Sequence, residues 1–205
     1  MQDDVGNNIG LTAVPPAGVM GHFYKFENQG GRKMSILVGQ DLLTAISRGE
    51  IIIDPLEDSQ VGPGSVDLTL GNDFRIFKKQ MGIYYVHNES DFADVTELVS
   101  LTDSEYISIS PCEMILGITR ERITLAETIA GWLEGRSRFA RFGLAVHVTA
   151  GFMQPGISNH QVLEIVNLGH RPLALYPGTR ICQFVFERCL GSAKYQGRFV
   201  DQEKP

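Results

Sequence analysis

Short apolar segments separated by turn residues make up most of the chain after residue 34. Leu42, Leu43 and Ile46 recur at three- and four-residue spacing, as on one face of an amphipathic helix. We predict this helix over residues 41–48, with Gly49 at its carboxyl end. The remaining patterned segments have the length and alternation of strands, at residues 51–53, 65–70, 74–76, 83–86, 106–109, 114–119, 129–133, 145–148, 162–166 and 181–186.

The spacing of these strands predicts the fold class. Pro63-Gly64, Pro155-Gly156 and Pro177-Gly178 provide turns between them. A parallel α/β sheet needs a helix between successive strands, but only residues 137–142 offer a second helical segment, and no dinucleotide-binding glycine fingerprint is present. The sequence therefore predicts a mainly β sandwich, barrel or jelly roll with a few short helices.

Three segments differ in their patterning. Residues 1–33 show little periodicity, and we expect a flexible amino-terminal extension. Residues 34–190 carry the predicted strands and form the expected β domain. Residues 191–205 are polar and contain Lys194-Tyr195-Gln196-Gly197, so this tail either frays or folds as a lid over a bound anion.

Composition narrows the classes of partner. The 205 residues carry 18 Lys and Arg against 24 Asp and Glu, and the net charge of -6 argues against a nucleic-acid partner. No apolar run approaches the length of a membrane span, and the first ten residues are acidic and polar, unlike a signal peptide. The 3 cysteines favour a reducing compartment. We expect no membrane association and a cytoplasmic location.

Glu164 is the only acid in an otherwise apolar predicted strand. An unpaired buried carboxylate is costly, so this side chain either faces water at a sheet edge or serves a function. Upstream, Arg136, Ser137, Arg138 and Arg141 could bind phosphate oxygens from a turn. A carboxylate able to activate water beside such a turn indicates a nucleotide or another phosphorylated substrate.

A zinc site is tested by the spacing of its candidate ligands. His87 and Glu89 have the His-x-Glu spacing of zinc nucleobase deaminases, and Pro111-Cys112 begins the matching cysteine motif. Ile115 occupies the position of the second cysteine, which leaves one ligand short. The sequence therefore predicts that zinc is not a cofactor.

An ordered series of motifs resembles a known family. Residues 135–144 read GRSRFARFGL, and residues 147–151 read HVTAG. Pro155-Gly156, Leu163-Glu164 and Pro177-Gly178 follow. Residues 65–72 and 194–197 extend the match toward the two ends of the chain. Together they closely resemble the dCTP deaminases, relatives of trimeric dUTPase, over nearly everything from Met34 onward.

The resemblance implies a distorted β-barrel or jelly roll of the dUTPase-like type, assembled as a homotrimer with active sites between subunits. It implies zinc-independent hydrolysis of dCTP to dUTP and ammonia, in the route that supplies dUMP and dTTP. Magnesium would be bound through the substrate triphosphate. Glu164 would be the general base that activates water for attack on C4, with its pKa raised by low-dielectric surroundings.

The same resemblance assigns roles to other residues. Ser137 and the backbone of Ala150 would hold the water and the base amide, and Arg141 would lie near Glu164 to maintain the charge and shape of the pocket. The remaining substrate-binding residues would be Arg136, Ser137, Arg138, Thr149, Gln154, Val162, Lys194, Tyr195 and Gln196.

Several positions depart from the family pattern. Arg138 stands where a serine is usual, Gln154 where an aspartate is usual, and Asn159 where a glycine is common. Gly151 is similar to the bifunctional members that release dUMP directly from dCTP, although the missing aspartate argues against that second activity. The alternatives are therefore a dUMP-forming bifunctional deaminase and a catalytically altered nucleotide-binding regulator, with a dUTPase as a weaker third.

Overall fold

The computed structural model describes residues 35–80 and 82–205, and it shows a mainly β protein. The extension expected over residues 1–33 lies outside the described residues. The strands are β1 (Ser35–Ile36), β2 (Ile51–Asp54), β3 (Val66–Thr69), β4 (Asp73–Phe77), β5 (Thr96–Ser100), β6 (Ile107–Ile109), β7 (Met114–Leu125), β8 (Ile129–Gly135), β9 (Leu144–Ala145), β10 (Phe152–Met153), β11 (Ser158–Asn167), β12 (Leu173–Leu175) and β13 (Arg180–Arg188).

Helices are few and short. They are α1 (Gly39–Ser47), α2 (Ser137–Ala140) and single 3-10 turns at Asp58–Gln60 and Phe92–Asp94. Within the described part of the chain, none of them has the length and hydropathy needed to cross a bilayer. The α1 helix confirms the helix predicted from the apolar spacing, and Gly49 follows it with a positive φ of 70°.

Two antiparallel sheets carry most of the strands. The first has 5 strands, in the order β1-β13-β8-β10 with β3 also paired to β13. The second has 6 strands, in the order β5-β4-β7-β11-β9 with β2 also paired to β7. β6 and β12 form a separate pair. The long strands β7 and β11 lie side by side at the centre of the second sheet, and β11 carries Glu164.

The core is formed by the inward side chains of both sheets. Along β11 buried and half-buried positions alternate without interruption, as expected for a strand with one face against a core. Phe184 and Phe186 stack in the first sheet with their ring centroids 4.6 Å apart. A Cβ at position 131 would lie 1.9 Å from the Phe184 ring, so Gly131 lets the ring approach β8. Burying such a side chain contributes about 1.5–3 kcal/mol.

The strand predicted over residues 83–86 is wrong. Ile83, Tyr85 and Val86 are more than three quarters exposed, and the segment pairs with no strand among the described residues. Alternation alone does not create a strand where neither face is covered. The strand predicted over 145–148 is too long, because β9 ends at Ala145 and a loop follows. The sequence reading also missed β5, β10 and β12, which are short and half exposed.

Candidate active site

Glu164 lies near the middle of a sheet rather than on an edge strand. It pairs with Leu116 of β7 on one side of β11. On the other side β9 pairs only with Val166 and Asn167, which leaves the neighbourhood of Glu164 open to the loop at residues 146–151. The side chain is therefore half-buried, and it faces a loop that supplies hydrogen-bond donors.

Three donors hold the Glu164 carboxylate. Its Oε2 accepts hydrogen bonds from the backbone amides of Val148 at 2.9 Å and Thr149 at 2.6 Å. Its Oε1 accepts from the hydroxyl of Thr149 at 2.5 Å. Hydrogen bonds to an ionised acceptor are shorter and stronger than those between neutral groups, so this carboxylate is fixed in one orientation.

The same contacts set the charge of Glu164. Burial opposes ionisation, but the hydrogen bonds from Thr149 and Val148, with a smaller contribution from His147, hold the pKa of Glu164 below its ordinary value. The expectation of a raised pKa is therefore wrong for this chain. The side chain is ionised at neutral pH and can accept a proton without first losing one.

A cavity of about 450 Å³ opens beside this carboxylate. Most of its lining is apolar, and its polar side chains are His147, Gln154, Asn159, Gln161, Glu164 and Gln202. Ala150 and Val162, which were expected to contact substrate, also line it. The volume suits a drug-sized ligand or a nucleoside. We call this cavity the Glu164 pocket.

The tail closes one side of the Glu164 pocket. Tyr195, Phe199, Gln202 and Pro205 all line the cavity, and the Tyr195 backbone amide donates to the carbonyl of Pro155 at 3.0 Å. Residues 191–205 contain no helix or strand, yet they pack against the β domain. Lys194 and Gln196, which were expected to contact substrate, are exposed and lie outside the cavity lining.

The arginine-rich turn lies elsewhere on the same chain. Ser137 lines a second cavity, of about 480 Å³, and Arg138 and Arg141 are exposed on and after α2. Arg136 is half-buried and pairs with Asp67 at 2.9 Å. Among the described residues, no Lys or Arg lines the Glu164 pocket. One copy of the chain thus does not bring Ser137 or Arg141 to the wall that carries Glu164.

His147 lies between the two cavities and lines both. Its Nδ1 and Nε2 are both buried, and neither has a hydrogen-bond partner among the described residues. The sequence reading left His147 as a structural or exposed residue. Its position at the junction gives it access to the space on either side.

Metal ligands are not clustered in the described ranges. Within residues 35–80 and 82–205, no group of three His, Cys, Asp or Glu side chains could hold a metal ion. His87 instead pairs with Glu89 at 3.1 Å on the surface.

Sequence reasoning missed several residues of this region. Asn159 and Gln161 are buried polar residues at 6% and 3% exposure, and both line the Glu164 pocket. Phe199 and Gln202 were treated only as part of a tail. Two amide side chains two positions apart in an apolar strand are a signal of a functional site that the sequence offers. The contact of the tail with that strand is long-range and leaves no local pattern in the sequence.

A known family and several known proteins match most of this chain. Residues 36–189 match the family described as dCTP deaminase-like. The chain belongs to the dCTP deaminase-like family. Over 181 residues it is 37% identical to the dUMP-forming dCTP deaminase of Methanobrevibacter smithii, a match covering 84% of this chain and 93% of that protein. Over 166 residues it is 42% identical to the dCTP deaminase of Marinomonas sp., covering 77% and 85%.

One solved structure supports the fold of this dCTP deaminase-like chain. The crystal structure of 2'-deoxycytidine 5'-triphosphate deaminase from Agrobacterium tumefaciens aligns with a TM-score of 0.60 at 18% identity. That alignment covers 77% of this chain and 49% of the other chain. The native EIAV dUTPase aligns with a TM-score of 0.39 over 47% of this chain.

Proposed function

We propose that this chain deaminates dCTP hydrolytically, with Glu164 as the general base. The observation that carries the proposal is an ionised carboxylate, fixed by Val148 and Thr149, on the wall of a pocket of nucleoside size. Its depressed pKa keeps it ionised at neutral pH, and since a lower pKa also makes it a weaker base, its effectiveness rests on its fixed position in the pocket. The family match supplies the reaction class.

The proposed reaction uses the residues around Glu164 in sequence. Glu164 takes a proton from a water whose oxygen bonds to C4 of the cytosine base, and it passes this proton to N3 of the ring. Glu164 then takes the hydroxyl proton of the resulting tetrahedral intermediate and delivers it to the exocyclic amine, so the C4–N bond breaks, the C4 carbonyl forms, and ammonia leaves. The exposed backbone of Ala150 follows Thr149 directly and would help to place the water.

The triphosphate requires cations that the Glu164 pocket of one chain does not provide. Arg138 and Arg141 are exposed on and after α2, in the same turn as Ser137. We therefore propose that this turn enters the Glu164 pocket of a second copy of the chain, as in a homotrimer with active sites between subunits. Phosphate oxygens would accept charge-assisted hydrogen bonds from these arginines.

Magnesium is proposed to reach the site on the substrate. The described side chains form no metal-binding cluster, so the cation would be held by phosphate oxygens and water. It would supply charge neutralisation at the phosphates. We also keep the prediction that turnover does not depend on zinc, because the sequence lacks the second cysteine of that motif.

The proposed deamination of dCTP either stops at dUTP or continues to dUMP. The Methanobrevibacter smithii relative is named dUMP-forming, and this supports dUMP as the product. Gly151, next to Ala150, is in keeping with that assignment. A second candidate is deamination that stops at dUTP, which Gln154 favours. Gln154 lines the Glu164 pocket, and Glu164 has the only carboxylate side chain among the described lining residues.

Product analysis tests the proposal. Purified protein is incubated with dCTP and magnesium, with a zinc chelator in a parallel tube, and dUTP, dUMP and ammonia are measured. We expect ammonia and dUMP in equal amounts, unaffected by the chelator. Ammonia with dUTP would establish the second candidate. Binding of dCTP without any product would overturn both and favour a nucleotide-binding regulator.

A further inference from the structure

Asn159 is a buried amide that joins the Glu164 pocket to the tail. Its Nδ2 donates to the backbone carbonyl of Phe199 at 2.7 Å. Its Oδ1 accepts from Nε2 of Gln161 at 2.7 Å. Both ends of the amide are therefore used, one to contact the tail and the other to fix the side chain.

The neighbouring Gln161, which bonds to Asn159, is itself held by Thr119 of β7. The Gln161 backbone amide donates to the hydroxyl of Thr119 at 2.9 Å, where the pairing of β11 with β7 is interrupted between His160 and Val162. A bulge of this kind re-aims side chains and is common beside functional sites. The amide pair therefore rests on an irregular piece of the sheet in which Gln161 is bonded to Thr119.

A second contact, made by the next residue of β11, reinforces the hydrogen bond between Asn159 and Phe199. The His160 backbone amide donates to the carbonyl of Gln202 at 3.2 Å. Nε2 of Gln202 donates back to the carbonyl of His160 at 2.9 Å. Together, residues 159 and 160 hold the stretch of tail that lines the Glu164 pocket.

The ion pairs of the tail are of a weaker kind than these hydrogen bonds, and its remaining contacts include the backbone hydrogen bonds of Tyr195 to Pro155 and of Ala193 to Glu127. The ion pairs Arg198–Asp91, Arg122–Glu203 and Lys204–Asp73 join side chains of which at least one in each pair is about half exposed. Exposed ion pairs contribute little because water and salt screen them. A buried donor that loses its partner is much more costly, so Asn159 should contribute more than any of these ion pairs to holding residues 199–202.

We propose that Asn159 is a positioning residue that holds the tail closed over the Glu164 pocket of its own chain. The hydrogen bond to Phe199 keeps Tyr195, Phe199 and Gln202 in the pocket lining and so retains the ligand. The predicted effect of Asn159 on turnover rests on the proposed dCTP deaminase function. The predicted effect of Asn159 on the tail does not depend on that function.

Hydrogen exchange and kinetics of Asn159→Ala test this inference. Amide exchange is followed by mass spectrometry in peptides covering residues 195–202, and in peptides of β7 and β11 as an internal reference. We expect exchange in the tail to rise roughly tenfold, the size of effect that follows from a lost buried hydrogen bond. The KM for dCTP should rise by a similar factor while kcat stays within about twofold, because both ends of the amide are already bonded to protein atoms.

Ser158→Ala is the matched control. Ser158 is the adjacent residue of β11, and its hydroxyl hydrogen-bonds Thr124 at 2.7 Å, away from the tail. We expect this variant to leave tail exchange unchanged. If Asn159→Ala does not fold, Gln202→Ala removes the side-chain hydrogen bond of the second contact, and its tail exchange should rise in the same direction.

The outcomes separate the inference from the proposed function. Unchanged tail exchange in Asn159→Ala would overturn the inference, and so would loss of protection spread evenly through β7 and β11, since that would make Asn159 a residue of the fold alone. Absence of dCTP turnover in the unmodified protein would overturn the proposed function, and the exchange result would still decide the role of Asn159.

Discussion

Thr149 donates to Glu164 twice, from its backbone amide at 2.6 Å and from its hydroxyl at 2.5 Å. The two bonds reach different oxygens of the carboxylate, so they fix its plane as well as its position. Under the proposed mechanism, this arrangement would let a glutamate with a lowered pKa serve as the base, because it is ionised at neutral pH and its orientation is set before substrate arrives.

Replacing Glu164 with glutamine should abolish turnover and keep nucleotide binding. The amide has nearly the same shape but cannot accept a proton from water, and it retains a carbonyl oxygen for the donors of Val148 and Thr149. We expect kcat for dCTP to fall by at least about a hundredfold, the usual size of a general-base contribution. Steady-state assays and calorimetric titration with dCTP check the two parts, and retained deamination would remove Glu164 from the role of base.

Thr149→Val tests the cause of the depressed pKa. The hydroxyl of Thr149 lowers the pKa of Glu164, so removing it should raise that pKa. A depressed folded pKa means that activity carried by the ionised form is present above it and is lost as pH falls through it. We therefore expect the acidic limb of the profile of kcat/KM against pH to move upward, toward the ordinary glutamate range near roughly 4.3.

The control for this profile is Thr44→Val. Thr44 lies on α1, and its hydroxyl donates to the carbonyl of Gln40 at 2.7 Å, remote from the pocket in the fold. Its acidic limb should coincide with that of the unmodified protein. An unshifted limb in Thr149→Val would mean that the backbone donors alone set the charge of Glu164.

The sequence predicts the parts of the site that depend on neighbouring residues, but not those that depend on contacts between distant residues. Glu164 and Thr149 lie within a segment whose pattern is local, because a lone carboxylate in an apolar strand and a turn-forming loop can be read directly. The contact of Asn159 with Phe199 joins residues 40 positions apart, and no periodicity encodes it. The pKa was mispredicted for the same reason: burial was inferred from the strand pattern, while the donors of the loop are visible only in the fold.

Buried polar residues outside the pocket were equally hidden. Glu121 is 1% exposed on β7, and its carboxylate accepts from Nε2 of Gln60 at 2.7 Å and from the Thr69 backbone amide at 2.8 Å. The sequence offers only an acid in a charged stretch between arginines. Its partners come from separate strands and turns, so its burial follows from sheet topology.

Asp67→Asn should disturb the arginine-rich turn. Asp67 pairs with Arg136 at 2.9 Å, and the same guanidinium donates to the carbonyl of Arg180 at 2.6 Å. Nε2 of Gln183 also donates to the carbonyl of Gly135 at 3.0 Å, so the start of the turn is held on two sides. Losing the ionic partner of a part-buried arginine should cost about 1–3 kcal/mol of unfolding free energy.

The catalytic consequence of this change is separable from the loss of stability. If the turn serves the phosphates, the KM for dCTP should rise at temperatures well below the unfolding midpoint. Asp103→Asn is the matched control, because Asp103 forms an exposed pair with Arg120 at 3.5 Å. Denaturant unfolding and steady-state kinetics measure both quantities. Equal stability in the two variants would mean that the Asp67–Arg136 pair does not hold the turn.

Gln154→Asp tests whether the residue at position 154 controls phosphate cleavage after deamination. It is exposed, it lines the Glu164 pocket beyond β10, and substitution at such a site should change the unfolding free energy by no more than about 0.5 kcal/mol. An added carboxylate here would provide a second base for water, so Gln154→Asp should raise the ratio of dUMP to dUTP at early times. Gln154→Asn has the same length without the charge and should leave the ratio unchanged. Equal ratios in both variants would show that the charge at position 154 does not control the product.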